Sequence, residues 1–261
     1  MTRLLAPPLT APDQLDAALR ANGHATLGAA GLCEIVPASM AELDAMRPYW
    51  RDLPPDAYLR DGGRYRRRRH ACFVVDGNCN GDGDGDGVRA VAHRAHWQPV
   101  EYNALHGGLE RWFEPMEAAL LAQPAWRRML RALSARCSAL KGAQTWYVEA
   151  HQFRIDTTDG IGRPTPEGAH RDGVDLVAVM LIDRAGVKGG ETRVFDADGP
   201  TGQRFTMTEP WTTLLLDDAR VIHESTPIQP LEAHGDDTGK GHRDTLVLTW
   251  RAHGFQGPNA V

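Results

Sequence analysis

Cysteine is scarce in this 261-residue chain, which holds four (Cys33, Cys72, Cys79 and Cys137), none in a CxxC pair. No zinc or dithiol redox motif emerges. The sequence also lacks a long apolar run and a secretory signal pattern, so neither a membrane span nor export is expected. A reducing cytoplasm is then the default compartment. Nor is there an excess of one charge: the formal net charge is −5 with both signs mixed, which offers nothing to nucleic acid or another polyanion. Internal repeats are missing too. The length suits one large β-rich domain over 1–261, long enough to bury a real core, and leaves oligomeric state open.

What is present reads as short strands with helical flanks. Residues 1–60 mix helical stretches (12–21 and 40–50) with Pro and Gly breaks and form a helical lead-in. A hairpin is expected at 64–97. A helical block follows over 108–141, where Leu109, Trp112, Phe113, Met116, Leu120, Trp126, Met129, Leu130 and Leu133 recur at helical spacing and form a core-packing stripe. From Gln144 to Trp250 the pattern is one of successive strands, which suits a jelly-roll or cupin-like barrel. The expected fold is thus mainly β with flanking helices (α+β), its core spanning 64–255 with the helical insertion at 108–141.

Two local features stand apart. Residues 76–87 alternate Asp or Asn with Gly and partly fit a calcium-loop template. The twelfth position is Gly87 where a bidentate Glu is required, and no helical pattern flanks the loop. A flexible acidic turn is the better description, and its tip should be dispensable. The basic run at 64–69, RYRRRR, abuts a strand and alternates poorly. It reads as a solvated face or a subunit contact, with an arginine meeting a substrate carboxylate as the alternative.

The chemistry-bearing residues lie further on. In His170-Arg171-Asp172, an extended backbone would project His170 and Asp172 to one side. A strand-like run, 174–182, follows them. His223 ends another strand-like segment. Two imidazoles and a carboxylate are the facial ligand set of non-haem Fe(II), which leaves positions open for substrate and O₂. Past His223, a terminal strand carries Arg243 and Thr245 two apart. A planar guanidinium beside a hydroxyl suits the far carboxylate of a dicarboxylate.

Together, His170-x-Asp172, His223 and Arg243-x-Thr245 resemble the Fe(II)/2-oxoglutarate-dependent dioxygenases. The surrounding text is similar to the bacterial branch that includes isoleucine dioxygenase and related free amino acid hydroxylases. The stretches that carry the likeness are QPVEYNALHGGLERWFEPM (98–116), EAHQFRID (149–156), PTPEGAHRDGVDLVAVMLIDR (164–184), GGETRVFD (189–196) and HRDTLVLTW (242–250). The likeness covers about the last two-thirds of the chain. It implies a double-stranded β-helix with iron held by His170, Asp172 and His223, and 2-oxoglutarate anchored by Arg243, with Thr245 beside it. It further implies an aliphatic L-amino acid or a derivative as substrate, hydroxylated with O₂ while 2-oxoglutarate becomes succinate. Glu149, Gln152 and Arg154 are candidate pocket contacts on one strand. Arg154, Arg193, Glu149 and Asp217 are candidate counter-charges for the two ends of an amino acid. Two rivals remain at this level: a metal cupin enzyme that uses no cosubstrate, and a non-catalytic stress-response or binding member of the fold.

Overall fold

The computed structural model describes residues 4–77, 87–231 and 241–258. Residues 78–86, the body of the acidic turn expected to be dispensable, lie outside the described residues.

The lead-in contains helices α1 (Leu15–Asn22), α2 (Ala29–Ile35) and α3 (Met40–Asp44). Between the first two sits a short strand, β1 (His24–Leu27), which the sequence reading missed. Strands β2 (Arg66–Asp76) and β3 (Val88–Ala90) form the expected hairpin. The helical block is shorter than its apolar spacing suggested. It comprises α4 (Ala118–Leu121) and α5 (Pro124–Lys141), while residues 108–117 run extended, with Arg111 bridged to His96 and Pro115 to His70. Pro115 has no N–H to donate and disfavours a helix through Glu114, which explains the late start. Trp112, counted in the stripe, is 53% exposed.

The rest is strand: β4 (Thr145–Asp156), β5 (Leu176–Ala185), β6 (Val187–Gly189), β7 (Thr192–Asp196), β8 (Gly202–Phe205), β9 (Thr213–Asp217), β10 (Val221–Ser225), β11 (Ile228–Pro230) and β12 (His242–Arg251). Among the described residues, the large antiparallel sheet has the order β1-β9-β5-β12-β4-β2-β3. A smaller sheet, β10-β7-β8, and the pair β11-β6 complete the double-stranded β-helix.

Side-chain alternation divides the large sheet into two faces. On one, Trp146, Val148 and Ala150 of β4, Ala178 and Met180 of β5, and Leu246, Leu248 and Trp250 of β12 pack against Trp126, Met129, Leu130 and Leu133 of α5. The helix is also pinned by polar ties. Trp146 donates to the Ser138 hydroxyl and Trp250 to that of Ser134, each at 2.8 Å. On the other face, Val177 and Leu181 pack with Val194, Phe205 and Val221 from the smaller sheet. At the end of this inner layer the apolar residues give way to polar ones, and a cavity opens. No helix among the described residues is long and apolar enough to cross a membrane.

Candidate active site

His170, Asp172 and His223 meet at the mouth of the inner layer. His170 does not lie in a regular strand, as the spacing had suggested, but in an isolated antiparallel bridge with His223 of β10. The two exchange backbone hydrogen bonds of 3.0 and 2.9 Å. Asp172 occupies the turn that leads to β5. Its Oδ1 is 3.8 Å from His170 Nε2 and its Oδ2 is 3.9 Å from His223 Nε2. One ligand atom from each of the three residues falls within 4.8 Å of the others.

The turn holding Asp172 is clamped from behind. The Asp218 carboxylate accepts from the backbone N–H groups of Asp172, Gly173 and Val174 at 2.7–3.1 Å. Gly173 has φ +74°, and a Cβ there would lie 2.5 Å from the Tyr102 ring. Only glycine accommodates both the left-handed backbone and that approach. Gln98 donates to Asp172 Oδ1 at 3.1 Å and fixes the carboxylate's rotation. Neither Asp218 nor Gln98 was picked out as a site residue in the sequence reading. Asp218 sits in a turn and Gln98 in an irregular segment, where no strand or helix spacing marks a residue as facing the site.

The imidazoles suit a cation. The Gly168 carbonyl, 2.9 Å from His170 Nδ1, can only accept, so Nδ1 keeps its proton and Nε2 is left to face the cluster. Burial opposes charge on His170, but Asp172 and Glu167 outweigh it and raise its pKa above the usual histidine range, so an arriving ion would displace a proton from Nε2. Burial, aided by the charge on His170, drives His223 well below that range, so His223 is neutral. Burial raises Asp172 despite the opposing pull of His170. A divalent ion would reverse that penalty.

The cavity these groups share has about 1080 Å³ of empty space, including its open mouth, and is also lined by Arg243, Thr245, Glu149 and His151. Arg243 and Thr245 of β12 are buried and face it together. Arg243 Nε and Nη2 have no hydrogen-bond partner. Burial, with Arg184 nearby, lowers the guanidinium to about 10. A buried cation with two free donors is the receptor an absent anion leaves behind. The donor set and this receptor fit Fe(II) with a dicarboxylate beside it.

Glu149 also faces the cavity, but Gln152 and Arg154 do not, which corrects the expectation for the latter pair. Two-residue alternation puts Glu149, His151 and Phe153 on the inner face of β4 and Gln152 and Arg154 on the outer. There Gln152 donates to the Tyr49 carbonyl at 3.1 Å, and Arg154 forms a fork with Asp244 at 2.8 and 2.6 Å. The other proposed counter-charges are also engaged elsewhere. Arg193 pairs with Glu191 and Glu224, and Asp217 with Lys141.

Glu149 is the acceptor at the centre of a second cluster. His96 Nδ1, His70 Nε2 and His151 Nε2 lie 2.5, 3.4 and 3.5 Å from its Oε2. These four residues are also close enough to hold a metal. Arg68, however, approaches His151 Nδ1 at 2.7 Å and can only donate, which leaves the His151 proton on Nε2, facing Glu149. A buried carboxylate collecting imidazole N–H bonds explains the cluster without a cation. Burial works against ionisation of Glu149, but the imidazoles outweigh it and hold its pKa well below the usual range.

Comparison with known proteins agrees with this geometry. Residues 47–249 match the family model described as 2OG-Fe dioxygenase. The chain is 50% identical to a bsmA homolog from Methylobium petroleophilum PM1, with a TM-score of 0.88, covering 99% of this chain and 100% of that one. IDO from Bacillus thuringiensis shares the fold at 15% identity (TM-score 0.72, covering 97% and 100%). So does the Fe(II)/α-ketoglutarate-dependent dioxygenase TqaL at 20% identity (TM-score 0.70, covering 96% and 90%). No curated protein matches the sequence significantly. The chain belongs to the 2OG-Fe dioxygenase family and is an oxygenase that uses Fe(II) and 2-oxoglutarate.

Proposed function

We propose that this enzyme hydroxylates an aliphatic C–H bond of a free L-amino acid or a close derivative, as the isoleucine dioxygenase branch does. His170, Asp172 and His223 hold the iron, and Arg243 with Thr245 holds the far carboxylate of 2-oxoglutarate. The observation that carries the reading is the convergence of the triad within 4.8 Å in the cavity that also receives the unpartnered N–H groups of buried Arg243.

The bound iron and ketoacid supply the oxidation: one oxygen atom of O₂ enters the substrate as C–OH, and the other enters the succinate formed as CO₂ leaves. The protein's own part is positional. Gln98 and Asp218 keep the Asp172 carboxylate turned toward the two imidazoles. Gly168 sets the His170 tautomer. Arg243 neutralises the cosubstrate's distal charge at a fixed place, which fixes the orientation of its other end. We place the enzyme in the cytoplasm, a compartment consistent with the free thiols of Cys33, Cys72 and Cys137.

A screen of the twenty L-amino acids and simple N-acyl derivatives, scored by succinate release, tests the substrate class. At least one aliphatic amino acid should couple to 2-oxoglutarate consumption, and His170→Ala or Asp172→Ala should abolish that coupling and weaken iron retention. Unchanged turnover in either variant would put the site elsewhere.

A further inference from the structure

The arginine run is not the solvated face its composition suggests. Within β2 it alternates: Arg67 and Arg69 point outward, whereas Arg66 and Arg68 are 5% and 4% exposed and line the cavity. Arg111, at 2% exposed, joins them there. Each retains an unsatisfied buried N–H: Arg66 Nη2, Arg68 Nε and Arg111 Nε.

Their existing partners explain position but leave donors over. Arg66 Nε donates to Asp56 at 2.7 Å, and Arg68 Nη1 lies 3.9 Å from the same carboxylate. The Arg68 guanidinium is sandwiched between rings, 3.7 Å from the Phe113 centroid and 4.4 Å from that of Phe153. Arg111 donates to Gln98 at 2.9 Å, and Gln98 in turn holds Asp172, so this cationic wall is two hydrogen bonds from the proposed iron ligand. Asp56, Glu149 and Glu167 all act on these guanidinium charges, yet none of them accepts from the three orphaned donors. Three buried N–H groups left unmatched are costly unless an acceptor completes the set. On the iron side of the same cavity, Glu167 places Oε1 3.7 Å from His170 Nε2, while its Oε2 is buried without a partner, and the residue is near enough to Arg111 to act on its charge.

We infer that Arg66, Arg68 and Arg111 form a second carboxylate subsite, distinct from Arg243, that takes the carboxylate of the substrate, while Glu167 receives its amino group. This refines the substrate class proposed above and rests on it: the substrate must carry both a free carboxylate and a free amine. Arg68, immobilised between two rings, presents its Nε–H without reorganisation, which favours discrimination by charge.

The test is calorimetric titration under argon of the Fe(II)- and 2-oxoglutarate-loaded protein. The probes are L-valine, L-leucine, L-isoleucine and L-methionine, with their carboxamides and N-acetyl derivatives. At least one acid should bind, its carboxamide about 100-fold or more weakly, as expected when a buried charge loses its partner. In Arg68→Gln that ratio should collapse to within about tenfold, and in Glu167→Gln the preference over the N-acetyl form should fall similarly, with 2-oxoglutarate binding retained in both. The wild-type comparison needs no variant to fold. Carboxamides binding as tightly as acids, no acid binding at all, or Arg68→Gln weakening acid and carboxamide alike would each overturn the subsite. Succinate release separates the two readings. Discriminating binding without succinate from any probe would keep the subsite and remove the hydroxylase substrate assignment. Equal succinate from an acid and its carboxamide would do the opposite.

Discussion

Replacing Arg243 by methionine should weaken the enzyme's hold on 2-oxoglutarate and yet leave the cofactor-free protein no less stable. The side chain is 3% exposed, two of its nitrogens have no partner, and the neighbouring Arg184 is of like charge. Burial, the largest influence, lowers its pKa from 12.5 to about 10. That lowering corresponds to roughly 3 kcal/mol by which the folded protein disfavours the charge. The protein tolerates that cost because an anion normally removes it. Methionine keeps most of the stem volume without the charge, so the apo variant should gain up to about 3 kcal/mol, less any packing loss. Binding should move the other way. Loss of one member of a buried charged pair costs about 2–5 kcal/mol, or roughly 30- to 5000-fold in the 2-oxoglutarate dissociation constant. Denaturant unfolding of the metal-free protein gives the first quantity. Anaerobic titration of the iron-loaded protein, followed by the visible charge-transfer band of the chelate, gives the second. If apo Arg243→Met is destabilised by more than about 1 kcal/mol, Arg243 has a structural partner and the argument from its orphaned donors fails. Unchanged 2-oxoglutarate affinity would refute it equally.

Gly173→Ala forces a Cβ to 2.5 Å from the Tyr102 ring at φ +74°, so it should cost about 1–3 kcal/mol and loosen Asp172. Melting temperature and iron retention should fall together; a fall in neither would mean the turn relaxes freely. His96 and His106 are both lowered from 6.5 to about 4, mainly by burial, so in the fold they stay neutral while the unfolded chain takes up protons. Their stability contribution is therefore complete above pH 6.5 and is lost as pH falls toward 4. It amounts to about 2 kcal/mol at most for His96 between pH 7.5 and 5, and less for His106. Denaturation midpoints across that range should decline for wild type and less steeply for His96→Gln; parallel slopes would show His96 is not the group responsible. Metal analysis of protein loaded with excess Fe(II) should find one iron per chain, because the Arg68 bond leaves His151 Nε2 protonated. A second equivalent lost on His70→Ala would show that the Glu149 cluster does take a cation.

How much of this could be read from the chain depended on whether a pattern had contrast. Apolar, β-branched runs bounded by polar residues announced β5 and β12, and the fold class with them. The His-x-Asp spacing stood out because metal-binding residue types are few, although it is a clamped turn and not a strand that brings the pair together. The run at 64–69 failed as a signal for the opposite reason. When successive residues are identical, period-2 burial leaves no trace in composition, and Arg66 and Arg68 look like Arg67 and Arg69. Parity was informative where it was applied strictly: Glu149 and Gln152 are three apart and so cannot share a face of β4, and 152 and 154 side with the helix-facing residues 146, 148 and 150. Gln98, Asp218 and Glu167 carry no spacing signal because each reaches the site from an irregular segment or a turn. Their roles follow only from what their atoms touch or, for Glu167, fail to touch. The least legible parts of the site are thus those that set its selectivity. Iron chemistry tolerates few ligand types and repeats across relatives, whereas a substrate's charges can be met from any element that happens to face the cavity.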